Sequence, residues 1–352
     1  MKAWVLDSVG NIELKDIDKP EARQGYVVVK VAAAGICGSD IPRIYKDGAH
    51  NMPLVPGHEF SGTVVDAVDA DKTWIGKRVG IFPLIPCKQC GPCMDRKYEM
   101  CRSYNYLGSR CDGGFAEYVS VPVWNLIEIP EGVSLDQAAM LEPLAVSVHA
   151  IRQFVNEGID IKGKNIVICG LGTIGLMLLM FITELVDDMS RVYVIGSKES
   201  QKEKAILLGV LEDNYADGKS EDVIEWAHKN IVDGADIYYE CVGTNKTISD
   251  GINMVKPGGF LQLIGNPASD MTFDKNTYWK ILRNQITVKG TWNSSFTGRE
   301  DDDWNYVIER LAKGTLPVNQ LITGRYDMES FRYGLELMRD KSADYIKILL
   351  EP

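Results

Sequence analysis

The chain has 352 residues, 45% of them hydrophobic and 25% charged, which is ordinary for a globular protein and long enough for two separate cores. A formal net charge of −11 argues against a general nucleic-acid binder or a protein held on an anionic membrane, since both need a basic face. It leaves room for a small anionic substrate in a local basic pocket.

In chain order, "MKAWVLDSVG" reads as a strand and not as a signal peptide, and the most apolar run, "GLMLLMFIT", is too short to span a bilayer. The expectation is a cytoplasmic protein without membrane partners, whose thiols stay reduced. "GICGSD" and "VPGHEFSG" come next and start twenty residues apart. They bring Cys37, a soft metal ligand, and His58, a borderline one. Either could be bland: a lone cysteine in an apolar stretch is commonly a small core residue, and a lone histidine after glycine is commonly just hydrogen-bonded.

The stretch "CKQCGPCMDRKYEMC" holds Cys87, Cys90, Cys93 and Cys101, half of the eight cysteines, at C-x2-C-x2-C-x7-C spacing. A disulfide knot, a redox pair and a metal site compete for it. A cytoplasmic setting weakens the first. A redox C-x-x-C needs two cysteines and usually opens a helix, whereas this run is loop-like around Gly91 and Pro92. Four thiolates converging on zinc leave no open coordination position, so the lobe reads as a structural clamp. Further on, "AAMLEPLAVSVHA" places Glu142 in an apolar run, where an ionised carboxylate is costly unless paired or bound to a cation. Cys37, His58 and Glu142 together would make three protein ligands with one position open, the pattern of a catalytic zinc.

The second half opens with "KNIVICGLGTIGLMLLMFITEL", a buried strand, a glycine turn and an apolar helix. Gly170, Gly172 and Gly175 form G-x-G-x-x-G, with Thr173 and Ile174 inside the turn, so that backbone N–H groups at the helix start can face a pyrophosphate. Strands are predicted in "RVYVIGS", "ADIYYECVG", "GFLQLIG" and "ITVKGTW". They alternate with helical stretches such as "SQKEKAILLG" and "SEDVIEWAHKN", the pattern of a doubly wound parallel sheet. At the end of the second strand, where an acid normally binds the ribose of NAD, the chain offers Gly196, Ser197 and Lys198, with no carboxylate before Glu199. That pattern favours NADP(H), with NAD(H) the alternative should Glu199 do the work. Cys111, Cys169 and Cys241 read as buried reduced thiols, His149 as core, His228 as surface, and "GREDDDW" as an exposed acidic loop leading a helix.

"GICGSD", "PGHEFSG", the four-cysteine lobe, "RCDGGFAEYV", "LEPLAVSVHA" and "GLGTIGLM" occur in the order seen in zinc-dependent medium-chain alcohol and polyol dehydrogenases. The chain resembles that family along essentially its whole length, and the glutamate of "LEPL" is similar to the sorbitol dehydrogenase branch. The resemblance implies an α/β protein. A GroES-like β-rich catalytic domain would span residues 1–145, with 291–352 returning to it, and a Rossmann nucleotide domain 146–290, with the active site in the cleft between them. It implies two zinc ions per chain, the catalytic one on Cys37, His58 and Glu142. Glu59 would be either a direct ligand or an orienting neighbour, and Ser39 a proton relay or a helix cap. The expected reaction is reversible oxidation of a sugar-alcohol phosphate, galactitol 1-phosphate to tagatose 6-phosphate. A free polyol such as sorbitol, or a pentitol phosphate such as ribitol 5-phosphate, is the alternative, and a non-catalytic nucleotide-binding protein a more distant one. Arg43 and Lys46 are candidates for the substrate phosphate, each equally readable as a surface charge, and His50, Arg110 and Asn293 for the rest of the pocket. A homodimer or homotetramer is the expected assembly.

Overall fold

The run "YVVVKVAAAG", rich in valine at its start and small at its end, forms the strand Tyr26–Gly35 and buries most of its residues. The structure, a computed structural model, describes residues 1–267 and 269–352. It divides into two units, residues 1–145 with 294–352 and residues 146–293.

In the first unit the Tyr26–Gly35 strand is central. Glu59–Asp66 pairs with it antiparallel on one side, followed by Arg78–Ile81 and Leu126–Glu128; Lys347–Leu350 and then Ile322–Tyr326 lie on the other, and Tyr118–Pro122 also pairs with it. The small residues at its end matter most. Gly35 stands in register with Glu59 on one neighbour and with Leu349 on the other, so the end of the chain comes to lie across Gly35 from Glu59. Valines and isoleucines of these strands pack with Trp4, Phe60, Phe115 and Phe331 in one core. The acidic run before the helix Asp303–Lys313 is exposed through Glu300 and Asp301, as expected, and departs from expectation only at its end. Asp302 and Asp303 are buried, because their carboxylates accept backbone N–H groups of Ser295, Thr297, Gly298 and Asn305 and so tie down the turn.

The second unit is a six-stranded parallel sheet in the order Tyr215–Asp217, Val192–Gly196, Ile166–Cys169, Ala235–Glu240, Val255–Leu263, Thr287–Gly290. Numbered along the chain this is 3-2-1-4-5-6, and the order reverses at Ile166–Cys169, the strand that precedes the glycine turn. The helix Thr173–Leu185 is apolar nearly all round and buried from Gly175 to Ile182. The strand Tyr215–Asp217 was not anticipated; three residues are too short to show an alternating pattern. Among the described residues no helix is long and apolar enough to cross a membrane.

Candidate functional site

The four cysteines of the lobe are free of disulfides, and their sulfurs all lie within 4.8 Å of one another. Sulfurs at 2.3 Å from a tetrahedral zinc are about 3.8 Å apart. Cys87 to Cys93 and Cys90 to Cys101 are each 3.9 Å, so the lobe has the dimensions of the ion it would hold. Backbone N–H groups of Arg102 and Cys93 lower the Cys90 thiol to about 6, while burial and then the neighbouring thiols push Cys93 up to about 12. Sulfurs crowded this closely cannot all carry charge without a cation.

Cys37 follows the Tyr26–Gly35 strand and His58 precedes Glu59–Asp66, so the pairing of Gly35 with Glu59 delivers both to the same end of the sheet. One donor atom each of Cys37, His58 and Glu59 lie within 4.8 Å of one another. Glu142 stands outside that group. It is buried in the first turn of the helix Leu141–Val155, and its Oε1 accepts a hydrogen bond from Tyr106 Oη at 3.2 Å. Burial pushes the Glu142 carboxyl up to about 7, against the pull of His58 and with the push of Glu59. Thus Glu142 senses both residues electrostatically. Ser39 Oγ donates to Cys37 Sγ at 3.3 Å and, although at a helix start, makes no side-chain cap bond.

Three residues that the sequence reading passed over organise this pocket. Asp40 is fully buried; its carboxylate accepts the Cys37 backbone N–H at 3.0 Å and the Arg43 guanidinium. Its Oδ1 also lies 3.3 Å from His58 Nδ1, an ion-pair distance without hydrogen-bond alignment. Burial alone would lower the His58 pKa, but Asp40 and then Cys37 outweigh it and hold it well above the usual histidine range. Tyr106 packs edge-on to the His58 ring at 5.9 Å between centroids. Lys347 is buried and paired with the Glu59 carboxylate. An aspartate three residues after a cysteine was a legible signal for the first; nothing local marks the other two.

In the second unit the three glycines have separate reasons. Gly170 has φ +95°, a conformation that side chains resist. A Cβ on Gly175 would overlap the Gly170 carbonyl oxygen, whereas one on Gly172 would meet nothing within 4 Å. The turn is therefore tight beneath and open above, as a backbone surface for a pyrophosphate must be. A cavity of about 370 Å³ is lined by Gly170, Gly172, Gly196, Ser197, Gln201 and Lys219, among others. Thr173 and Ile174 begin the helix, and the Ile174 carbonyl accepts from Ser147 Oγ at 3.2 Å. Lys198 borders a neighbouring polar hollow with Glu199, Lys202 and Asp217. Lys219 was missed because the loop that carries it follows the short third strand.

Of the substrate candidates, Arg43 is committed to Asp40, while Lys46 and His50 are exposed. Arg110 stacks on the Tyr104 ring at 4.3 Å and donates to the Tyr104 carbonyl. Asn293 ends the second unit with a left-handed backbone, φ +53°.

Two family models together match nearly the whole chain. The alcohol dehydrogenase GroES-like domain matches residues 23–131, and the glucose dehydrogenase C-terminus matches residues 135–351. Galactitol 1-phosphate 5-dehydrogenase of Escherichia coli (strain K12) is 32% identical over 357 residues, covering 100% of both chains. The crystal structure of galactitol-1-phosphate dehydrogenase from Escherichia coli superimposes with a TM-score of 0.88 at 30% identity, again over 100% of each chain. L-threonine 3-dehydrogenase of Pseudoalteromonas translucida (strain TAC 125) is 30% identical over 340 residues, 95% of this chain and 94% of the other. A dehydrogenase from Sinorhizobium meliloti 1021, described as zinc-binding and bound to NADP, matches with a TM-score of 0.86 at 28% identity, over 100% and 99% of the two chains. The chain belongs to the zinc-dependent medium-chain dehydrogenase family, oxidoreductases that act on CH–OH donors through a GroES-like domain and a Rossmann domain.

Proposed function

We propose that this protein oxidises a sugar-alcohol phosphate reversibly, galactitol 1-phosphate to tagatose 6-phosphate, with NADP(H) and two zinc ions per chain. The observation that carries the chemistry is the convergence of Cys37, His58 and Glu59, with Glu142 beside them, in a buried pocket. A soft sulfur, an imidazole and carboxylates are the donor set of a catalytic zinc, and Cys87, Cys90, Cys93 and Cys101 are that of a structural one. When bound, the catalytic zinc supplies a Lewis acid for the substrate hydroxyl, and the nicotinamide nucleotide supplies the hydride acceptor.

The chain's own residues do the rest. Asp40 fixes the Cys37 backbone and stands against His58, which orients both. Ser39, hydrogen-bonded to Cys37, is placed to take up the substrate hydroxyl proton and pass it outward. Gly170, Gly172 and Gly175 present the turn to the dinucleotide, and Gly196 and Ser197 leave the ribose end without a carboxylate.

The substrate assignment is supported by the full-length similarity to galactitol 1-phosphate 5-dehydrogenase. A free polyol is favoured by one observation: Arg43, a candidate for the phosphate, is already paired with Asp40. Initial rates with galactitol 1-phosphate and galactitol, at saturating NADP and NAD, separate these readings. A large preference for the phosphate ester supports the first, and equal or reversed rates overturn it.

A cytoplasmic homodimer or homotetramer completes the reading. The strand Thr287–Gly290 closes one edge of the six-stranded sheet with Val288 exposed, and Trp292 stands exposed just beyond it, a surface suited to a second copy.

A further inference from the structure

Arg43 is taken up by the buried Asp40, so a phosphate on the substrate needs another cation. The loop that follows the four-cysteine lobe supplies one. Its backbone closes on itself: the N–H groups of Arg110 and Cys111 both donate to the Tyr106 carbonyl, at 2.9 and 3.2 Å. The same loop is fastened beside His58. A Cβ on Gly108 or on Gly113 would overlap the Gly57 carbonyl oxygen, and the Gly114 N–H donates to that oxygen at 2.8 Å. Only glycines let two backbones approach so closely, and Gly57 is the residue before His58. The Asn51 amide donates to the Arg110 carbonyl at 2.8 Å and holds the loop from its other side. From this base a row of rings leads away from His58. Tyr106 lies edge-on to the His58 ring at 5.9 Å, Tyr104 edge-on to Tyr106 at 6.1 Å, and the Arg110 guanidinium over Tyr104 at 4.3 Å. That stacking and the bond from Nη1 to the Tyr104 carbonyl fix the guanidinium plane. Among the described residues no carboxylate pairs with it, and its other nitrogens have no protein acceptor. A fork of N–H donors held in this way matches the oxygens of a phosphate.

In galactitol 1-phosphate the carbon oxidised and the phosphorus are about six bonds apart, roughly 7 Å when the chain is extended. The phosphate of such a substrate therefore lies well outside the cluster of Cys37, His58 and Glu59. The successive contacts from His58 through Tyr106 and Tyr104 to Arg110 are long enough to span that distance. We propose that Arg110 binds the substrate phosphate and sets a preference for the phosphate ester over the free polyol. The inference rests on the reading of this pocket as the site of a sugar-alcohol phosphate. Tyr104 positions the guanidinium, and Tyr106, which touches both His58 and Glu142, ties that position to the reacting end of the pocket.

The test compares galactitol 1-phosphate with galactitol in full-length parent, Arg110→Gln and Arg110→Lys at saturating NADP. In Arg110→Gln the ratio of kcat/KM for the phosphate ester to that for the free polyol should fall about 10- to 100-fold, the loss of charge-assisted hydrogen bonds. Arg110→Lys should restore part of the ratio, because it keeps the charge without the fork. Calorimetric titration with galactitol 1-phosphate in the absence of nucleotide should agree, with affinity about tenfold or more weaker in Arg110→Gln. Equal losses on both substrates, the result of a merely structural role, leave the ratio unchanged and overturn the proposal. If Arg110→Gln does not fold, Arg110→Lys decides alone: a ratio lowered about threefold or more supports the proposal, and the parent's ratio overturns it. Parent protein without a preference for the phosphate ester would sink the sugar-phosphate reading, and the role of Arg110 with it. A parent preference that persists in Arg110→Gln would sink the role of Arg110 alone.

Discussion

Tyr106 donates its phenolic hydrogen to Glu142 Oε1 across 3.2 Å, so a carboxylate expected on a metal also has a neutral hydrogen-bond donor. Burial raises Glu142 from 4.5 to about 7. A carboxyl raised in the folded state favours folding below its unfolded value and loses that advantage as pH rises through the folded one. The raise corresponds to about 3 kcal/mol. Chelator-stripped parent protein should therefore lose about 3 kcal/mol relative to Glu142→Gln between about pH 4.5 and pH 7.5. Urea unfolding of both proteins across that window measures it, and parallel pH profiles would show that Glu142 is not raised.

The two cysteine sites should separate in a metal count. Parent protein should carry about two zinc ions per chain. Cys90→Ser should lose one and melt roughly 5–10 °C lower, because its site holds a loop together. Cys37→Ser should lose the other, keep its melting temperature within about 2 °C and lose turnover. Atomic absorption with a thermal melt reads all three proteins; retained turnover in Cys37→Ser would remove it from the catalytic site.

Gly172 and Gly175 should respond oppositely to the same added methyl. Gly175→Ala must displace the Gly170 carbonyl and should cost about 1–3 kcal/mol of stability. Gly172→Ala meets open space, so stability should hold while dinucleotide affinity falls about tenfold or more, the methyl standing where the pyrophosphate approaches. Calorimetric titration with NADP alongside denaturant melts distinguishes the two, and unchanged NADP affinity in Gly172→Ala would place the nucleotide elsewhere.

Cofactor choice is better probed at Ser197 than at Gly196, where a Cβ would stand 2.8 Å from Tyr215 Oη and mix strain with charge. Ser197→Asp should lower the NADP to NAD ratio of kcat/KM about tenfold or more, by setting a carboxylate against a 2′-phosphate. Lys219→Ala should shift the ratio the same way by a smaller factor. A ratio unmoved in Ser197→Asp would undo the assignment of this end of the cavity.

At the sheet edge, Val288→Asp should weaken self-association, because it places a charge on the strand offered to a second copy. Sedimentation velocity of parent and variant reads the mass directly, and an oligomer identical in both would move the interface away from this strand.

How much could be read without the fold depends on sequence distance. The four cysteines lie within fifteen residues, and the glycine turn within six, so local backbone geometry alone restricts what they can do. Cys37 and His58 stood out only through the family motifs that flank them, since alone each reads as a small core residue or a hydrogen-bonded imidazole. Glu142 was legible as a costly carboxylate, but its bond to Tyr106 was not, since a tyrosine in a loop gives no local sign of its partner. The acidic run misled only at Asp302 and Asp303, because composition reports charge and not the backbone N–H groups that absorb it.

The four-cysteine lobe, the glycine turn and the parallel sheet were readable from spacing and periodicity in the sequence by itself, while the ligand set of Cys37, His58 and Glu142 came with the family resemblance. Only the tertiary structure decided what stands behind the ligands. Lys347 meets Glu59 because strand register carries the end of the chain past a glycine with no side chain to block it. Lys219 reaches the cavity at Ser197 because its loop follows the edge strand Tyr215–Asp217. Contacts of this range are set by which strands become neighbours, a property of the packed sheet that no local window contains.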